Sequence, residues 1–235
     1  MKASISRIKC FKSCRRAYYL KYQEGLVPVQ TAEPLETGKS YHEYIEGLYR
    51  GEAVDGTDKA AAMAKAYEKY IMPQIPSVTP EISFEATVGK HQLIGRIDGM
   101  TPDGWLVEHK TTSSDITEGG QYEYDLQWDE QLPAYFYAMG TRKAKYTVVK
   151  KPTIRLKKDE TEEEFFERMV AWYDEDTESK IRVFEVSRTT EEIAEFAEEF
   201  EKICDEIENA DYYYRNCGWC NVWGRRCEYS SICLN

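Results

Sequence analysis

The chain has 235 residues, enough to bury a full hydrophobic core, so it forms one large domain or a core with a small appendage. Its formal net charge of −11 argues against a protein that coats nucleic acid nonspecifically, although local basic patches leave nucleic acid open as a substrate. No apolar run approaches the ~20 residues that span a bilayer, and the N-terminus has no continuous apolar signal region. We therefore expect a cytoplasmic protein that makes no membrane contact.

The sequence of the first half of the chain predicts helices followed by strands. Helical patterns cover about residues 4–22, capped by Ser4 or Ser6, then about residues 38–49, and then TDKAAAMAKAYEKYIM, capped by Thr57 or Asp58. The segments ISFEATVG, HQLIGRIDGM and GWLVEHKTT follow and predict a three-stranded meander. A Thr-Pro-Asp-Gly sequence at residues 101–104 suits a type I turn between the last two strands.

The second half mixes helices and strands. LQWDEQLPAYFYAMG predicts one helix with an internal proline, and YTVVKKPTIRLKK predicts one or two strands. Two long acidic helices come next. The second carries an apolar stripe at helical spacing, with Cys204 beside it as a predicted core residue; the stripe consists of Ile193, Phe196, Phe200, Ile203 and Ile207.

Ionic residues stand at the end of the third predicted strand. Side chains alternate along a strand, so Glu108 and Lys110 lie on one face, and Asp98 of the preceding strand can face them. Asp98 and Glu108 can hold one or two Mg²⁺ or Mn²⁺ ions, with the backbone carbonyl of His109 as a further ligand. Lys110 would then position the attacking water and stabilise charge on a phosphate. The simpler alternative is a salt bridge at a sheet edge.

Polar residues on two predicted helices are weaker candidates. His42 lies on the second helix, where a single histidine is more often structural than metal-binding. Gln131 and Tyr135 are four residues apart and share one helical face, which is either a partly buried amphipathic face or part of a site that meets the hairpin.

Seven cysteines occur, four of them within the last nineteen residues. In a reducing cytosol, this clustering favours metal or iron-sulfur ligation over disulfides. Four thiolates suit either an iron-sulfur cluster or tetrahedral Zn²⁺, and the C-terminal cysteines alone can form a zinc site.

Six segments in order resemble one family: FKSCRRAYY, GKSYH, GRIDG, EHK, QLPAY and the Cys-rich C-terminus. Together they are similar to the RecB-like branch of the PD-(D/E)XK nucleases, especially phage exonucleases and CRISPR-associated iron-sulfur exonucleases. The resemblance implies an α/β restriction-endonuclease-like fold, a mixed central sheet with flanking helices. It further implies one nuclease domain over residues 1–235, with a core at about 36–158. Helix 4–22 and segment 160–235 would form the cluster-bearing part.

The same resemblance implies roles for individual residues. His42 matches the family's metal-binding histidine, Asp98 its motif aspartate, and Glu108 with Lys110 its (D/E)xK pair. Gln131 and Tyr135 match the Q-x3-Y motif that lines the DNA-binding active site. An additional acid is expected before the GRIDG strand, and both Glu81 and Glu85 fit that region.

By resemblance, an N-terminal cysteine and three C-terminal ones hold a [4Fe-4S] cluster that joins the two ends of the chain. Cys14 fits the first position better than Cys10, and Cys227 with Cys233 fits the last two. Gly224 stands where the remaining ligand is expected, so we assign that ligand to Cys220, with Cys217 as the substitute.

The resemblance therefore predicts a metal-dependent exonuclease acting on single-stranded DNA or DNA ends. Protein partners in recombination, repair or CRISPR adaptation are compatible with it. The alternatives are a noncatalytic DNA-processing or scaffold subunit with a vestigial metal site, and a structural zinc protein. Polarity of digestion, biological pathway and oligomeric state stay open.

Overall fold

The structure of the chain is a computed structural model that describes residues 1–27, 33–222 and 225–233. The strands are β1 (Lys2–Ala3), β2 (Thr79–Val88), β3 (His91–Met100), β4 (Leu106–Thr112), β5 (Lys143–Lys150), β6 (Ile181–Ser187), β7 (Asn221–Val222) and β8 (Arg225–Arg226). The helices are α1 (Ile5–Ser13), α2 (Arg15–Tyr18), α3 (Glu33–Tyr49), α4 (Lys59–Tyr70), α5 (Gln121–Leu126), α6 (Gln131–Met139), α7 (Glu162–Glu175), α8 (Thr190–Glu208) and α9 (Ser230–Cys233).

A mixed six-stranded sheet forms the centre of the fold. Strands β2, β3 and β4 make the predicted antiparallel meander, and the predicted turn closes with the Gly104 N–H donating to the Thr101 carbonyl at 3.0 Å. Strand β5 runs parallel to β4, β6 runs antiparallel to β5, and β1 pairs in parallel with the start of β3. The crossover between the parallel strands β4 and β5 contains α5 and α6, since parallel neighbours need a long connection. The predicted α/β architecture is confirmed.

Helices cover both faces of this sheet. Helices α3, α4 and α7 pack on the face that carries Val107 and Val149. Helices α1, α6 and α8 pack on the opposite face, which carries Leu106 and Tyr146. Because consecutive residues of β4 point to opposite faces, the strand lies between two separate hydrophobic cores. Its last residues lie between the two helical layers.

The acidic helices α7 and α8 begin with capping boxes. Thr161 and Glu164 form the first, and Thr189 and Glu192 the second, so side chains satisfy the amide groups that a helix start leaves unpaired. The apolar stripe predicted on α8 packs into the core, and Cys204 is fully buried, as expected. Every helix in the described part of the chain falls short of the length and apolar character that a bilayer crossing requires.

The N-terminal helix differs from the continuous helix predicted for residues 4–22. The Ser4 side chain caps α1 by accepting the Arg7 N–H, but Cys14 is extended, with φ −158°. Helix α2 and a π-helical turn, Tyr19–Gln23, follow. The Arg16 N–H donates to the Tyr214 carbonyl at 3.1 Å, a bond outside the helix. Tertiary pairing with the C-terminal segment therefore accompanies the break at Cys14.

Two predictions for the second half hold in part. The helix predicted for residues 126–140 begins later, at Gln131, because the Asp129 side chain accepts the backbone N–H groups of Gln131 at 2.6 Å and Leu132 at 3.3 Å and so starts α6. Pro133 consequently lies in the first turn, where a missing N–H does no harm. The segment YTVVKKPTIRLKK contains part of β5, and residues 151–157 have no regular structure. Strands β1 and β6 were not predicted.

Candidate active site

The candidate site lies where β3 and β4 separate. These strands share two residue pairs, after which β3 continues along β2 and β4 continues along β5. Asp98 and Glu108 would form the next pair, but the Asp98 Oδ2 instead accepts the His109 N–H at 2.8 Å. The antiparallel ladder thus ends at a carboxylate, and a fork opens beside it.

Two further residues reach this fork from other elements. His42 on α3 places its Nδ1 atom 3.4 Å from the Asp98 Oδ1. Glu81 on β2 has a φ of 55°, the left-handed region that disfavours a residue other than glycine. One ligand atom from each of His42, Glu81 and Asp98 lies within 4.8 Å of the other two. The Arg96 Nε is 2.5 Å from the Glu81 Oε2, an ion pair without hydrogen-bond geometry.

Glu108 and Lys110 project from the same face of β4, as their spacing predicts. The Lys110 Nζ donates to the Glu108 Oε1 at 2.5 Å, and the Gln131 Nε2 donates to the same oxygen at 3.2 Å. Gln131 also donates to the Tyr135 hydroxyl. The Glu108 Oε2 is buried and has no hydrogen-bond partner among the described residues. A buried acceptor of this kind is costly unless something binds it.

The charges of the site are set by burial and by close neighbours. Burial opposes ionisation of Asp98, but the hydrogen bond and charge of His42 lower its pKa to about 2. Burial and the Asp98 charge raise the pKa of Glu108 to about 7, against the opposing effect of Lys110. Burial would lower the pKa of Lys110, yet the Glu108 charge and hydrogen bond raise it. Lys110 is therefore an ammonium group at neutral pH.

His109 contributes its main chain, and not its imidazole, to the fork. Its ring lies on the other face of β4, where the Nδ1 is 2.7 Å from the Thr147 hydroxyl and the ring meets Tyr67 edge-on at 5.2 Å. Burial lowers the pKa of this imidazole to about 4, so the ring is neutral at pH 7. The predicted carbonyl ligand is compatible with this orientation.

The fork also distinguishes between the two glutamates left open by the sequence. Glu81 faces Asp98 across β2 and β3, whereas Glu85 forms an ion pair with Lys2 at 2.9 Å on the surface. Glu81 and Glu85 are four residues apart, so strand alternation predicts the same face for both and does not choose between them. The choice needs the strand register, which the sequence does not supply.

Asp129 supports the site and was not anticipated. Its Oδ1 accepts the Gln131 N–H, and its Oδ2 accepts the Tyr146 hydroxyl at 2.9 Å. It thereby holds the start of α6, and with it Gln131, against the sheet. An aspartate two residues before Gln131 is a common helix-start signal, which was available in the sequence.

The donor set of the fork fits a hard divalent cation. Carboxylate oxygens and one imidazole nitrogen are ligands that Mg²⁺ or Mn²⁺ accepts, and the unpaired Glu108 Oε2 offers a further one. A second group, His91, Asp205 and Glu208, also has three closely spaced ligand atoms. There, however, the Lys90 Nζ already pairs with Asp205 at 2.8 Å, so the acidic charge is neutralised.

The four cysteines assigned by resemblance line one small cavity of about 20 Å³: Cys14, Cys220, Cys227 and Cys233. Cys10 and Cys217 are not among its lining residues. The Asn216 N–H donates to the Cys14 Sγ at 3.4 Å, and the Cys227 N–H donates to the Cys220 carbonyl at 2.9 Å. Gly224 lies outside the described residues.

The described sulfur atoms of this cavity do not form a close group of three. Within residues 1–27, 33–222 and 225–233, no three cysteine sulfurs lie within 4.8 Å of one another. A tetrahedral zinc site with Zn–S bonds of ~2.3 Å would place them roughly 3.8 Å apart. The described cysteine sulfurs are therefore not arranged as in a zinc tetrahedron.

Comparison with known proteins finds solved structures of similar fold. A putative exonuclease from Eubacterium rectale superposes with a TM-score of 0.56 at 13% identity, covering 99% of this chain and 92% of its own. The protein SSO0001 superposes with a TM-score of 0.51 at 15% identity, covering 99% of this chain and 85% of its own. At such low identity these likenesses show a shared fold alone.

A comparison with curated proteins gave no match. A family model described as the PD-(D/E)XK nuclease superfamily, in contrast, matches residues 2–234. That match spans almost the whole sequence and includes every residue of the fork. The chain therefore belongs to the PD-(D/E)XK nuclease superfamily.

Proposed function

We propose that the chain is a Mg²⁺- or Mn²⁺-dependent DNA exonuclease that hydrolyses phosphodiester bonds in single strands or at DNA ends. The observation that carries this proposal is the convergence of His42, Glu81 and Asp98, whose ligand atoms lie within 4.8 Å of one another. Glu108 lies outside that grouping, but its carboxyl group interacts with Asp98 and its Oε2 is unpaired. Scattered surface acids would not produce a half-buried group with buried, unpaired carboxylate oxygens.

His42, Asp98 and Glu108 would hold the divalent ion, with Glu81 as an additional carboxylate and the His109 carbonyl as a further ligand. A bound divalent ion supplies a water of lowered pKa and neutralises charge on the phosphate. The raised pKa of Glu108 fits this role, because a carboxylate that is costly to ionise alone is stabilised by a cation.

Lys110 supplies the fixed positive charge of the site. The Lys110 side chain is 32% exposed, so it can reach substrate while buried Glu108 holds its ammonium group. In this position it keeps its proton, orients the attacking water and donates to a phosphate oxygen. Gln131 and Tyr135, joined by a hydrogen bond, support substrate beside it.

We further propose that Cys14, Cys220, Cys227 and Cys233 hold a structural [4Fe-4S] cluster. All four line one cavity, and no three of these described sulfurs lie within 4.8 Å of one another, as a zinc tetrahedron would require. Such a cluster would close a loop from residue 14 to residue 220 and so stabilise the contact between the two chain ends. Cys217 is the substitute ligand.

The remaining proposals concern context. We propose one cytoplasmic nuclease domain over residues 1–235, with its core at about 36–158, that takes DNA as substrate. Proteins of recombination, repair or CRISPR adaptation are its proposed partners, on the resemblance described above.

The nuclease proposal is tested by digestion of end-labelled single-stranded DNA with Mn²⁺, Mg²⁺ or a chelator. We expect metal-dependent release of nucleotides by the wild type and at least a ~100-fold lower rate for Lys110→Ala. Lys145→Ala is the matched control, because Lys145 pairs with Glu185 on the neighbouring strands, away from the fork. If the wild type shows no metal-dependent cleavage, the hypothesis of a noncatalytic subunit is favoured instead.

The cluster proposal is tested on anaerobically purified protein. We expect iron and sulfide in equal amounts and broad visible absorbance, both strongly reduced in Cys227→Ser and retained in Cys217→Ser. Stoichiometric zinc without iron would contradict the cluster.

A further inference from the structure

Three consecutive tyrosines cross the surface of α2 near the C-terminal end of the chain. Residues 210–216 have no regular structure. Tyr213 turns inward, with its ring stacked on Tyr18 at 6.1 Å between centroids and tilted against Tyr19 at 5.0 Å. Tyr212 and Tyr214 turn outward and are 72% and 50% exposed. Half-buried Tyr213 thus anchors a segment whose two neighbouring tyrosine rings are exposed to solvent.

Backbone contacts hold this segment in place. The Arg16 N–H donates to the Tyr214 carbonyl at 3.1 Å, and the Asn216 side-chain amide donates to the Ser13 carbonyl at 2.8 Å. The exposed rings are therefore attached to a fixed backbone, which lowers the entropy lost when a ligand stacks on them.

Guanidinium groups surround the two rings. Arg15 lies 5.0 Å above the Tyr214 ring but is paired with Glu206. Arg16 and Arg215, in contrast, form no ion pair within the described part of the chain. Both line a recess of about 470 Å³ together with Tyr19, Tyr212, Tyr213 and Asp211, so two guanidinium groups face one carboxylate.

We infer that Tyr212, Tyr214, Arg16 and Arg215 form a binding site for single-stranded nucleic acid outside the catalytic fork, which we call the tyrosine platform. Every base has a face that stacks on an aromatic ring, and unpaired arginines bind the phosphates between the bases. The inference names where the substrate strand is held and rests on the proposed nuclease function.

Charge distinguishes the tyrosine platform from the exposed aromatic surface around Trp128. Trp128 is 69% exposed, but it lines a groove together with Glu130, Glu192, Glu195 and Glu199. Phosphates would be repelled there. The tyrosine platform, in contrast, combines exposed rings with Arg16 and Arg215, which form no ion pair among the described residues.

The platform is also connected to the fork through α1. The Lys12 Nζ pairs with the Glu130 Oε1 at 2.9 Å, and Glu130 directly precedes Gln131. Lys12 also lines one recess together with Tyr214 and Arg215. We therefore expect a single strand that leaves the fork past Lys12 to reach the platform, and a very short strand to end before it.

The first test measures binding in a Lys110→Ala background, which prevents cleavage. The probe is a fluorescent oligothymidylate of about 20 nucleotides, longer than a typical single-strand site of roughly 4–16 nucleotides. We expect Tyr212→Ala with Tyr214→Ala to raise Kd by about tenfold per lost ring, and the two Phe replacements to restore binding. Tyr124→Ala is the matched control, because Tyr124 is 53% exposed on α5 and outside the platform.

The second test measures salt dependence. Arg16→Gln and Arg215→Gln should each lower the slope of log Kd against log salt concentration by about 0.7, the value for one phosphate contact on a single strand. A slope unchanged in both variants would overturn the role of the two arginines. Thermal melting of each variant establishes that the fold is retained.

Cleavage kinetics separate this inference from the nuclease proposal. With the long oligonucleotide, the double alanine variant should show a raised KM and an unchanged kcat, and with an oligonucleotide of about 4 nucleotides it should match the wild type. If the wild type cleaves DNA and the variant has the same KM, the platform is refuted and the nuclease proposal stands. If the wild type binds the oligonucleotide through the tyrosines but does not cleave it, only the nuclease proposal is refuted.

Discussion

Replacing Glu108 with glutamine is expected to stabilise the metal-free protein while it removes activity. Glu108 is 2% exposed, its Oε2 has no partner, and the neighbouring Asp98 carries a negative charge. Its pKa is raised from 4.5 to about 7 even with Lys110 beside it. Glutamine has nearly the same shape and no charge, so it removes the cost of a buried anion.

The size and sign of this effect follow from proton linkage. The folded protein holds the Glu108 proton more tightly than the unfolded chain does, so this group lowers the free energy of unfolding as pH rises from 4.5 through about 7. The rise of the Glu108 pKa from 4.5 to about 7 corresponds to ~3 kcal/mol of free energy of unfolding. Since glutamine does not titrate, the stability advantage of Glu108→Gln should grow by about that amount across the same interval.

Urea denaturation in EDTA at a series of pH values measures this difference. Glu185→Gln is the control, because that carboxylate is 60% exposed on β6 and its replacement should give a difference that changes little with pH. Adding Mn²⁺ should raise the melting temperature of the wild type but not of Glu108→Gln. A difference between variant and wild type that stays constant or shrinks as pH rises would refute the reasoning.

Three further changes probe the surroundings of the fork. Tyr146→Phe removes the 2.9 Å hydrogen bond to Asp129 and should lower the free energy of unfolding by about 1.5–3 kcal/mol. Urea titrations measure this, and equal urea midpoints for the variant and the wild type would contradict it. Gly99→Ala would place a Cβ 2.3 Å from the Val78 Cγ1, and we expect a loss of about 1–3 kcal/mol by calorimetry, with an unshifted transition as the contrary result. Cys14→Ser should abolish visible absorbance and speed proteolysis within α1; intact absorbance would exclude Cys14 as a ligand.

Local signals predicted the parts of the fold that depend on neighbouring residues. The turn at Thr101 and Gly104 formed as its sequence suggested, and Asp58, one of two proposed caps, starts α4. Strand β6 was missed because its buried residues, Ile181 and Phe184, are three apart and so lack the alternation that identifies a strand.

The candidate site was predictable to the extent that it lies on one hairpin. The alternation of β4 placed Glu108 and Lys110 on one face, and hairpin pairing brought Asp98 near them. Glu81 differs, because its position depends on the register of β2 and on a left-handed backbone that a sequence does not reveal. Cys220 and Cys217 are likewise indistinguishable by spacing, yet only Cys220 lines the cavity.

By itself, the sequence determined which residues were chemically suited to a metal site and the strand and helix on which most of them lie, because hydrophobic period and turn chemistry act over a few residues. Only the tertiary structure decided which of them meet. His42, Glu81 and Asp98 come from three separate elements, and their 4.8 Å grouping depends on packing and strand register. The same holds for Tyr212 and Tyr214, whose exposure follows from the anchoring of Tyr213 on α2 and the π-helical turn.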